Sequence, residues 1–354
     1  MRIVSLLPAA TELLYALGVT PVGVSHECDY PPAAANLPSV VESRIDASAT
    51  SAEIDVQVQA AMAEHGSVYA LDREKLRTLN PDVVVTQGVC DVCAVDSALV
   101  ETAVRDLGLD AEVVTTDVHS LADLYRDLRK VGAVTGQEEA AEEVVSTLQA
   151  RVSEVESRAS AAAESPTVAV LDWLDPVMVA GHWIPELVEL AGGTYPLADV
   201  GAESRPREWA TIRECDPDVL VAAPCGFELA DASDDATQLR ENPGWDDLTA
   251  VRTNRAYAME GHHLVNRPGP RLVDTLEHLA RLIHPEEFGN PDPTVAATIS
   301  RTIPHDDSIH AGSVRRTRGP RDGGRTRRDL WHPRRRARRR HSTGAGRPPG
   351  RKRG

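Results

Sequence analysis

The sequence predicts an α/β protein made of two similar lobes that face each other across a cleft. Three observations lead to this prediction: short apolar runs alternate with helical stretches in both halves, a long helical segment lies between them, and one segment of the first half recurs in the second. With 354 residues, the chain is long enough to bury one large core or two ordinary ones.

The first lobe is predicted to span residues 1–119. Its elements are expected as strands at 2–7, 21–25, 81–87 and 112–116 and as helices at 8–18, 50–66 and 95–107. Pro8 is suited to open the first helix and Gly18 to end it. Thr50 and Glu53 have the spacing of a capping box. Because the strands alternate with helices and no tight hairpin is evident, we expect a parallel sheet.

A helical linker is predicted over residues 120–164, since "GQEEAAEEVVSTLQARVSEVESRASA" contains no proline and no glycine after Gly136. The second lobe, 165–290, begins with the apolar run "TVAVLDW". Its segment "CDPDVLVAAPCG" (215–226) matches "LNPDVVVTQGVC" (79–90) at an offset of 217 − 81 = 136 residues. A structural duplication is the favoured interpretation, and chance recurrence of Pro-Asp before a buried strand is the alternative.

The charge divides the chain in two. Residues 301–354 hold 18 Lys and Arg against 4 Asp and Glu, a net of +14, which leaves 20 − 50 = −30 for residues 1–300. Such an acidic body suits work at high salt and argues against nucleic acid as its partner. The basic tail, 291–354, is predicted to be disordered. It is either a tether to nucleic acid or to an anionic surface or, as we favour, the product of a shifted reading frame.

The chain shows neither a secretory signal nor an apolar run long enough to span a bilayer. A soluble, cytoplasmic monomer is therefore expected. In that reducing compartment the five cysteines are expected to be thiols or metal ligands rather than disulfides.

Residues just after the strands are the candidates for function, because the carboxyl ends of parallel strands line the binding crevice. This places one group of side chains at the predicted cleft: His26, Glu27, Cys28, Asp29, Tyr30, Cys90, Asp91, Cys93, Asp175, His182, Trp183, Cys225, Phe227, His262 and His263.

The C-x-x-C pair, Cys90 and Cys93, together with His26 and Cys28, would supply the soft ligands that Zn or Fe prefers. Packing of the cysteines as small apolar residues in a tight loop is the alternative. Enzymatic templates fit poorly, since the chain has no G-x-S-x-G, P-loop, H-E-x-x-H or G-x-G-x-x-G motif. A Cys-His hydrolase built from Cys90 and His26 or His182 lacks a third member, so an enzyme is not expected.

Several quoted stretches together carry a family resemblance: "RIVSLLPAATELLYALG", "VGVSHECDYPP", "LNPDVVVTQGVCDVCAV", "LDWLDPVMVAGHWIPELVELAGG", "PDVLVAAPCGF" and the run from Trp245 to "LIHP". In this order they resemble the cobalamin-binding branch of the helical-backbone substrate-binding proteins of ABC transporters, a class that also carries iron-siderophores and haem. More narrowly, they resemble its members that lack a signal peptide. The match covers residues 1 to about 288 and leaves the tail outside.

The resemblance implies two Rossmann-like lobes joined by one long backbone helix, with cobalamin or a related corrinoid in the cleft. It implies that the helix start at Pro8, Ala9, Ala10 and Thr11 faces the ligand, and that aromatic residues flank the corrin ring: Tyr30, Trp173, Trp183 and Phe227. His26, Cys90 or His182 is then the expected axial ligand of cobalt, with Gln87, His262 and His263 as further ligand contacts.

Other functions stay open. Within the binding class, the ligand is alternatively a siderophore, haem or a metal ion. From another class, the chain is alternatively a metal- or thiol-dependent enzyme acting on a corrinoid or tetrapyrrole. The resemblance implies an ABC permease as partner, whereas the expected lack of a leader argues against delivery from outside a membrane.

Overall fold

The computed structural model describes residues 1–89, 95 and 97–301. The candidate ligands Cys90 and Cys93 lie outside these residues, as does the part of the predicted tail, 291–354, that follows residue 301. Within that predicted tail Ala296–Thr298 form a strand, so the prediction of disorder is wrong there.

The chain alternates strands and helices as the sequence predicts. The strands are β1 (Ile3–Ser5), β2 (Val24–Ser25), β3 (Ser39–Ser43), β4 (Tyr69–Leu71), β5 (Val83–Gln87), β6 (Glu112–Thr116), β7 (Val168–Leu174), β8 (Val177–Val179), β9 (Arg205–Pro206), β10 (Val219–Ala222), β11 (Ala256–Met259) and β12 (Ala296–Thr298). The helices are α1 (Pro8–Ala16), α2 (Ser51–His65), α3 (Arg73–Leu79), α4 (Ser97–Asp106), α5 (Leu121–Thr135), α6 (Glu138–Ala159), α7 (Ile184–Leu190), α8 (Trp209–Cys215), α9 (Leu229–Asp235), α10 (Thr249–Arg252), α11 (Leu272–Ile283) and α12 (Pro285–Phe288).

The first lobe contains two small sheets. In one, β5 lies between β1 and β6 and all pairs are parallel, as expected for buried β-branched runs flanked by helices. In the other, β3 lies between β2 and β4 and pairs antiparallel with β4. The sequence prediction of a purely parallel lobe is therefore wrong for β4.

The second lobe is one six-stranded sheet in the order β12-β11-β10-β7-β8-β9. Its centre is parallel, with β10 between β7 and β11, whereas β8, β9 and β12 run antiparallel to their neighbours. A tight turn joins β7 to β8. The sequence analysis did not predict β8, because its three residues are too few to show an alternating pattern.

The predicted helical linker is present as two helices. Gly136, with φ +68°, ends α5, and the chain turns back into α6, whose 22 residues span about 33 Å. The two helices pack closely at Gly132, where a Cβ would lie 2.7 Å from the Cβ of Ala141. Helix α5 contacts α1 of the first lobe, and α6 contacts α7 and α11 of the second. The pair therefore connects the lobes.

The repeated segments occupy equivalent positions. Asn80 directly follows α3, and Asp216 directly follows α8. Both residues have left-handed backbone conformations, with φ 40° and 42°. Proline follows each, and then a fully buried parallel strand in the middle of its sheet, β5 or β10. This shared helix, turn and strand geometry supports the duplication.

One apolar core runs through both lobes. It includes Leu13 of α1, Leu124 of α5, Leu220 of β10 and Leu276 of α11, all at most 1% exposed. Within the described part of the chain, no helix is both long and apolar enough to cross a membrane.

Candidate functional site

The two lobes meet where strands β2 and β11 end. Asp29 follows β2, and His262 and His263 lie on a single π-helical turn, Gly261–Val265, after β11. The Oδ2 atom of Asp29 lies 3.1 Å from Nε2 of His262 and 2.9 Å from Nε2 of His263. Glu260 accepts a hydrogen bond from the His263 backbone N–H and lies 3.0 Å from its Nδ1. The rings are therefore held facing the first lobe.

A buried ion-pair network lies behind these histidines. Glu12 of α1 accepts hydrogen bonds from Arg271 Nε and Nη2 at 2.9 and 2.6 Å. Arg267 Nη1 lies 3.3 Å from Glu12 Oε1. Arg267 also donates to Asp29 Oδ1 at 2.6 Å. Glu12 is 4% exposed and Arg267 is 4% exposed. Removing one partner of such a buried pair costs about 3–5 kcal/mol, so this network fixes how the lobes meet.

The surroundings of Asp29 and Glu27 favour the ionised forms of these two carboxylates. Burial opposes ionisation of Asp29, but hydrogen bonds from His262 and Arg267 outweigh it and hold the pKa of Asp29 well below its usual range. The hydrogen bond from His26 lowers the pKa of Glu27. Negative charge therefore persists on the first-lobe side.

The start of α1 is covered by the second lobe. Ala9, Ala10 and Thr11 are at most 2% exposed and Pro8 is partly buried. Gly269 lies against this helix start, where a Cβ would be 3.6 Å from the Cα of Ala9. The predicted ligand-facing helix start thus faces the other lobe in this structure.

Cys28 is packed inside the first lobe. Its thiol lies 3.1 Å from Thr11 Oγ1, which also donates to Ser5 Oγ at 2.8 Å. Burial raises the pKa of Cys28 to about 11, so the thiol is protonated at neutral pH and is a poor metal ligand. Because Cys28 is only 3% exposed, the structure favours the packing interpretation for this cysteine over the metal-ligand one.

His26 has different surroundings from Cys28. His26 is exposed, and its Nε2 atom lies 3.1 Å from Glu27 Oε1. The centroid of its ring lies 5.7 Å from that of the Tyr69 ring. Among the described residues, the group that could hold a metal ion is instead Asp29, His262 and His263, whose ligand atoms lie within 4.8 Å of one another.

The predicted aromatic residues occupy three separate places. Trp173 and Phe227 pack edge to face at 5.8 Å under Ile54 of α2. Trp183 is 7% exposed and donates from Nε1 to the Val265 carbonyl at 2.9 Å. Tyr30 is 45% exposed, with the Arg271 guanidinium 4.0 Å above its ring. Gln87, at the end of β5, is 5% exposed. The expected aromatic clamp is therefore not assembled around one cavity.

A histidine pair joins the lobes at another point. His182 has φ +53°, and its Nδ1 lies 3.2 Å from Nδ1 of His119, whose Nε2 lies 3.0 Å from Asp117 Oδ1. Burial, and then the neighbouring His119, lower the pKa of His182. The His182 ring is therefore neutral at neutral pH and keeps the lone pair that a metal centre requires.

Two open cavities lie near these groups. One, of about 650 Å³, lies beside the π-helical turn and is lined in part by Tyr30, Glu260, His263 and Arg271. The other, of about 670 Å³, belongs to the second lobe and is lined by residues 174–177 and 206–209 among others.

Sequence reasoning missed Glu12, Arg267, Arg271 and His119. The signal for Glu12 is its position in "PAATELL", where a carboxylate among apolar residues of a helix requires a buried partner. "NRPGPR" offers two arginines four residues apart. The chain separation of 255 residues between Glu12 and Arg267 hides their pairing.

Comparison with known proteins identifies the family to which this chain belongs. The family profile described as periplasmic binding protein matches residues 3–262. A vitamin B12-binding protein of Vibrio cholerae is 25% identical over 285 residues, 78% of this chain and 87% of that protein. An uncharacterised ABC transporter substrate-binding lipoprotein of Bacillus subtilis is 23% identical over 294 residues, 81% of each chain.

Among solved structures, a periplasmic haem-binding protein of Pseudomonas aeruginosa superposes with a TM-score of 0.65 and 22% identity, covering 85% of this chain and 99% of that one. The two-lobed α/β fold is thus shared. The chain belongs to the periplasmic binding protein family, a family of binding proteins and not of enzymes.

Proposed function

We propose that this protein binds a corrinoid, such as cobalamin, between its two lobes. Membership of the family implies a small-molecule ligand and a permease partner. The similarity to a vitamin B12-binding protein extends over 285 residues and therefore through both lobes, which supports a corrinoid. The ligand lies where β2 and β11 end, the position that binding crevices take in α/β folds.

The observation that carries the choice of a corrinoid is the pairing of the interface arginines. Arg267 and Arg271 are both engaged by carboxylates, so neither is available to a new anion. Haem presents two propionate groups, which need cations. A corrin ring is rimmed by neutral amides, which suit a surface of paired charges and hydrogen-bonding side chains.

The aromatic contacts of this proposal require the lobes to part. Trp173 and Phe227 lie under α2, where Ile54 covers them and Ser51 lies 3.3 Å from Asp235 of the second lobe. Opening of this contact exposes both rings to a flat ligand. His182 is the preferred axial ligand of cobalt because its ring is neutral, and His26 and Cys90 are the other candidates.

The test is a pair of titrations of the reduced full chain, one with hydroxocobalamin and one with haemin, followed by visible absorption. We expect saturable binding of hydroxocobalamin with a shifted corrin spectrum and weaker binding of haemin. The His182→Ala variant retains binding but loses the shift, whereas the control variant His65→Ala, changed at the exposed end of α2, retains both. Saturable binding of haemin without binding of hydroxocobalamin would contradict the proposal.

A further inference from the structure

We propose that Asp29, His262 and His263 form a binding site for a divalent transition-metal ion of the Zn²⁺ class, bridging the two lobes. The proposed ligands include no cysteine, and the site does not depend on the identity of the organic ligand. It is composed of one carboxylate and two imidazoles, a donor set that Zn²⁺ accepts readily.

The geometry needs little adjustment. Asp29 Oδ2 lies 2.9 and 3.1 Å from the two Nε2 atoms, and the three atoms lie within 4.8 Å of one another. Zn²⁺ with bonds of about 2.0–2.1 Å in a tetrahedron places its ligand atoms about 3.4 Å apart. The two contacts of Asp29 therefore widen by roughly 0.3–0.5 Å to admit the ion.

The hydrogen-bond partners prepare lone pairs for a cation. Glu260 Oε1 lies 3.0 Å from His263 Nδ1; when Nδ1–H donates a hydrogen bond to this carboxylate, the Nε2 atom that faces Asp29 carries the lone pair. Carboxylate partners of this kind orient metal-binding histidines in many sites. Arg267 Nη2 lies 2.8 Å from His262 Nε2; because arginine only donates, this contact is a hydrogen bond when Nε2 carries no proton, the same form that binds a metal ion.

A metal ion would take the place of the protons that otherwise bridge the two Nε2 atoms and Asp29 Oδ2, so that two imidazole lone pairs and one carboxylate oxygen meet at a single positive centre. The metal replaces the contact of Arg267 with His262. Arg267 keeps its bonds to Asp29 Oδ1, Glu12 and the Glu27 carbonyl.

The surrounding charge suits a divalent ion. With neutral histidines, four carboxylates stand against two guanidiniums, a net of −4 + 2 = −2; these groups are Glu12, Glu27, Asp29, Glu260, Arg267 and Arg271. The cavity of about 650 Å³ opens onto Glu260 and His263 and provides a path for the ion and space for a water ligand.

Binding of the ion is coupled to contact between the lobes. Asp29 belongs to the first lobe, and both histidines belong to the second. A lobe opening that separates Asp29 from His263 removes one ligand, so the metal stabilises the joined arrangement.

The experiment uses the full chain freed of metal by a chelator, with no corrinoid present. It is titrated with Co²⁺ as a visible probe and then with Zn²⁺ in competition. We expect one equivalent to bind, with d–d bands and no thiolate-to-cobalt charge-transfer band. Asp29→Asn, His263→Ala and Glu260→Gln each weaken binding about 10- to 100-fold.

Two controls make the result specific. His278→Ala changes a histidine that lines the same cavity but lies outside the metal group, and Cys90→Ser with Cys93→Ser removes the C-x-x-C thiols. Both variants keep wild-type affinity under the proposal. A thiolate band in the wild-type spectrum, loss of binding only in the cysteine variant, or no binding at micromolar metal would overturn it. The wild-type spectrum decides the matter even where a variant fails to fold.

Discussion

Asp172 is the buried carboxyl with the clearest consequence for pH dependence. It lies in β7, accepts a hydrogen bond from Ser204 Oγ, and its Oδ1 is buried without a hydrogen-bond partner. Burial raises the pKa of Asp172 to about 6. The folded state therefore holds this proton more tightly than the unfolded state, in which the pKa is about 3.9.

The stability contributed by protonated Asp172 is fully present below pH 4 and is lost as pH rises through 6. The loss is about 3 kcal/mol, from roughly two pKa units at 1.36 kcal/mol each. In Asp172→Asn the neutral amide removes this dependence. Urea unfolding from pH 4 to 8 should show the difference in unfolding free energy, wild type minus variant, falling with pH; a constant difference would contradict the assignment.

Residue chemistry was only partly predictable from sequence. His262, His263 and Asp29 follow strands β11 and β2, so their place at the strand ends was predicted, and the structure brings them together. The pairing of Arg267 with Glu12 was not predictable, because it joins elements distant in the chain. Cys28 also follows β2, yet its side chain turns into the core, a direction that sequence position does not specify.

At the scale of elements, the close contact between α5 and α6 depends on residue 132 being glycine, which has no side chain. A Cβ there would lie 2.7 Å from Ala141 Cβ and 3.1 Å from the Gln137 carbonyl oxygen. Gly132→Val therefore overpacks the helix pair and should destabilise the protein by about 2–3 kcal/mol in urea unfolding.

The matched control is Ala133→Val, one residue along on the exposed face of α5. It introduces the same side chain without a clash and should cost less than about 0.7 kcal/mol through helix propensity. Equal destabilisation by both substitutions would show that close packing at Gly132 is not what joins the helices.

Elements with a local signal were predicted well. The capping box predicted at Thr50 and Glu53 is present in both directions, at 3.4 and 3.1 Å, and α2 ends before Gly66 as expected. The very short strands β8 and β9 were missed, because two or three residues cannot display a period. They are strands through their partners: β8 pairs with β7, and β9 pairs with β8.

At the scale of the whole molecule, the two-lobed arrangement was predictable because the sequence repeats it. The segments before β5 and β10 are similar, and their backbones share a left-handed residue, a proline and a central strand. How the lobes meet depends on side chains from distant parts of the chain, such as Asp29 with His263 and Ile54 with Phe227. That interface is the least predictable level and the one on which function depends.

The most direct test of the central claim, that the ligand binds between the lobes, is hydrogen–deuterium exchange of the full chain with and without hydroxocobalamin. We predict slower exchange of backbone amides in both lobes at once. The protected segments are residues 23–31 of the first lobe, which contain β2 and the loop after it, and residues 259–266 of the second lobe, which begin at the end of β11. Protection confined to residues 174–177 and 206–211, which line the cavity of the second lobe, would contradict it, as would no change at saturating ligand.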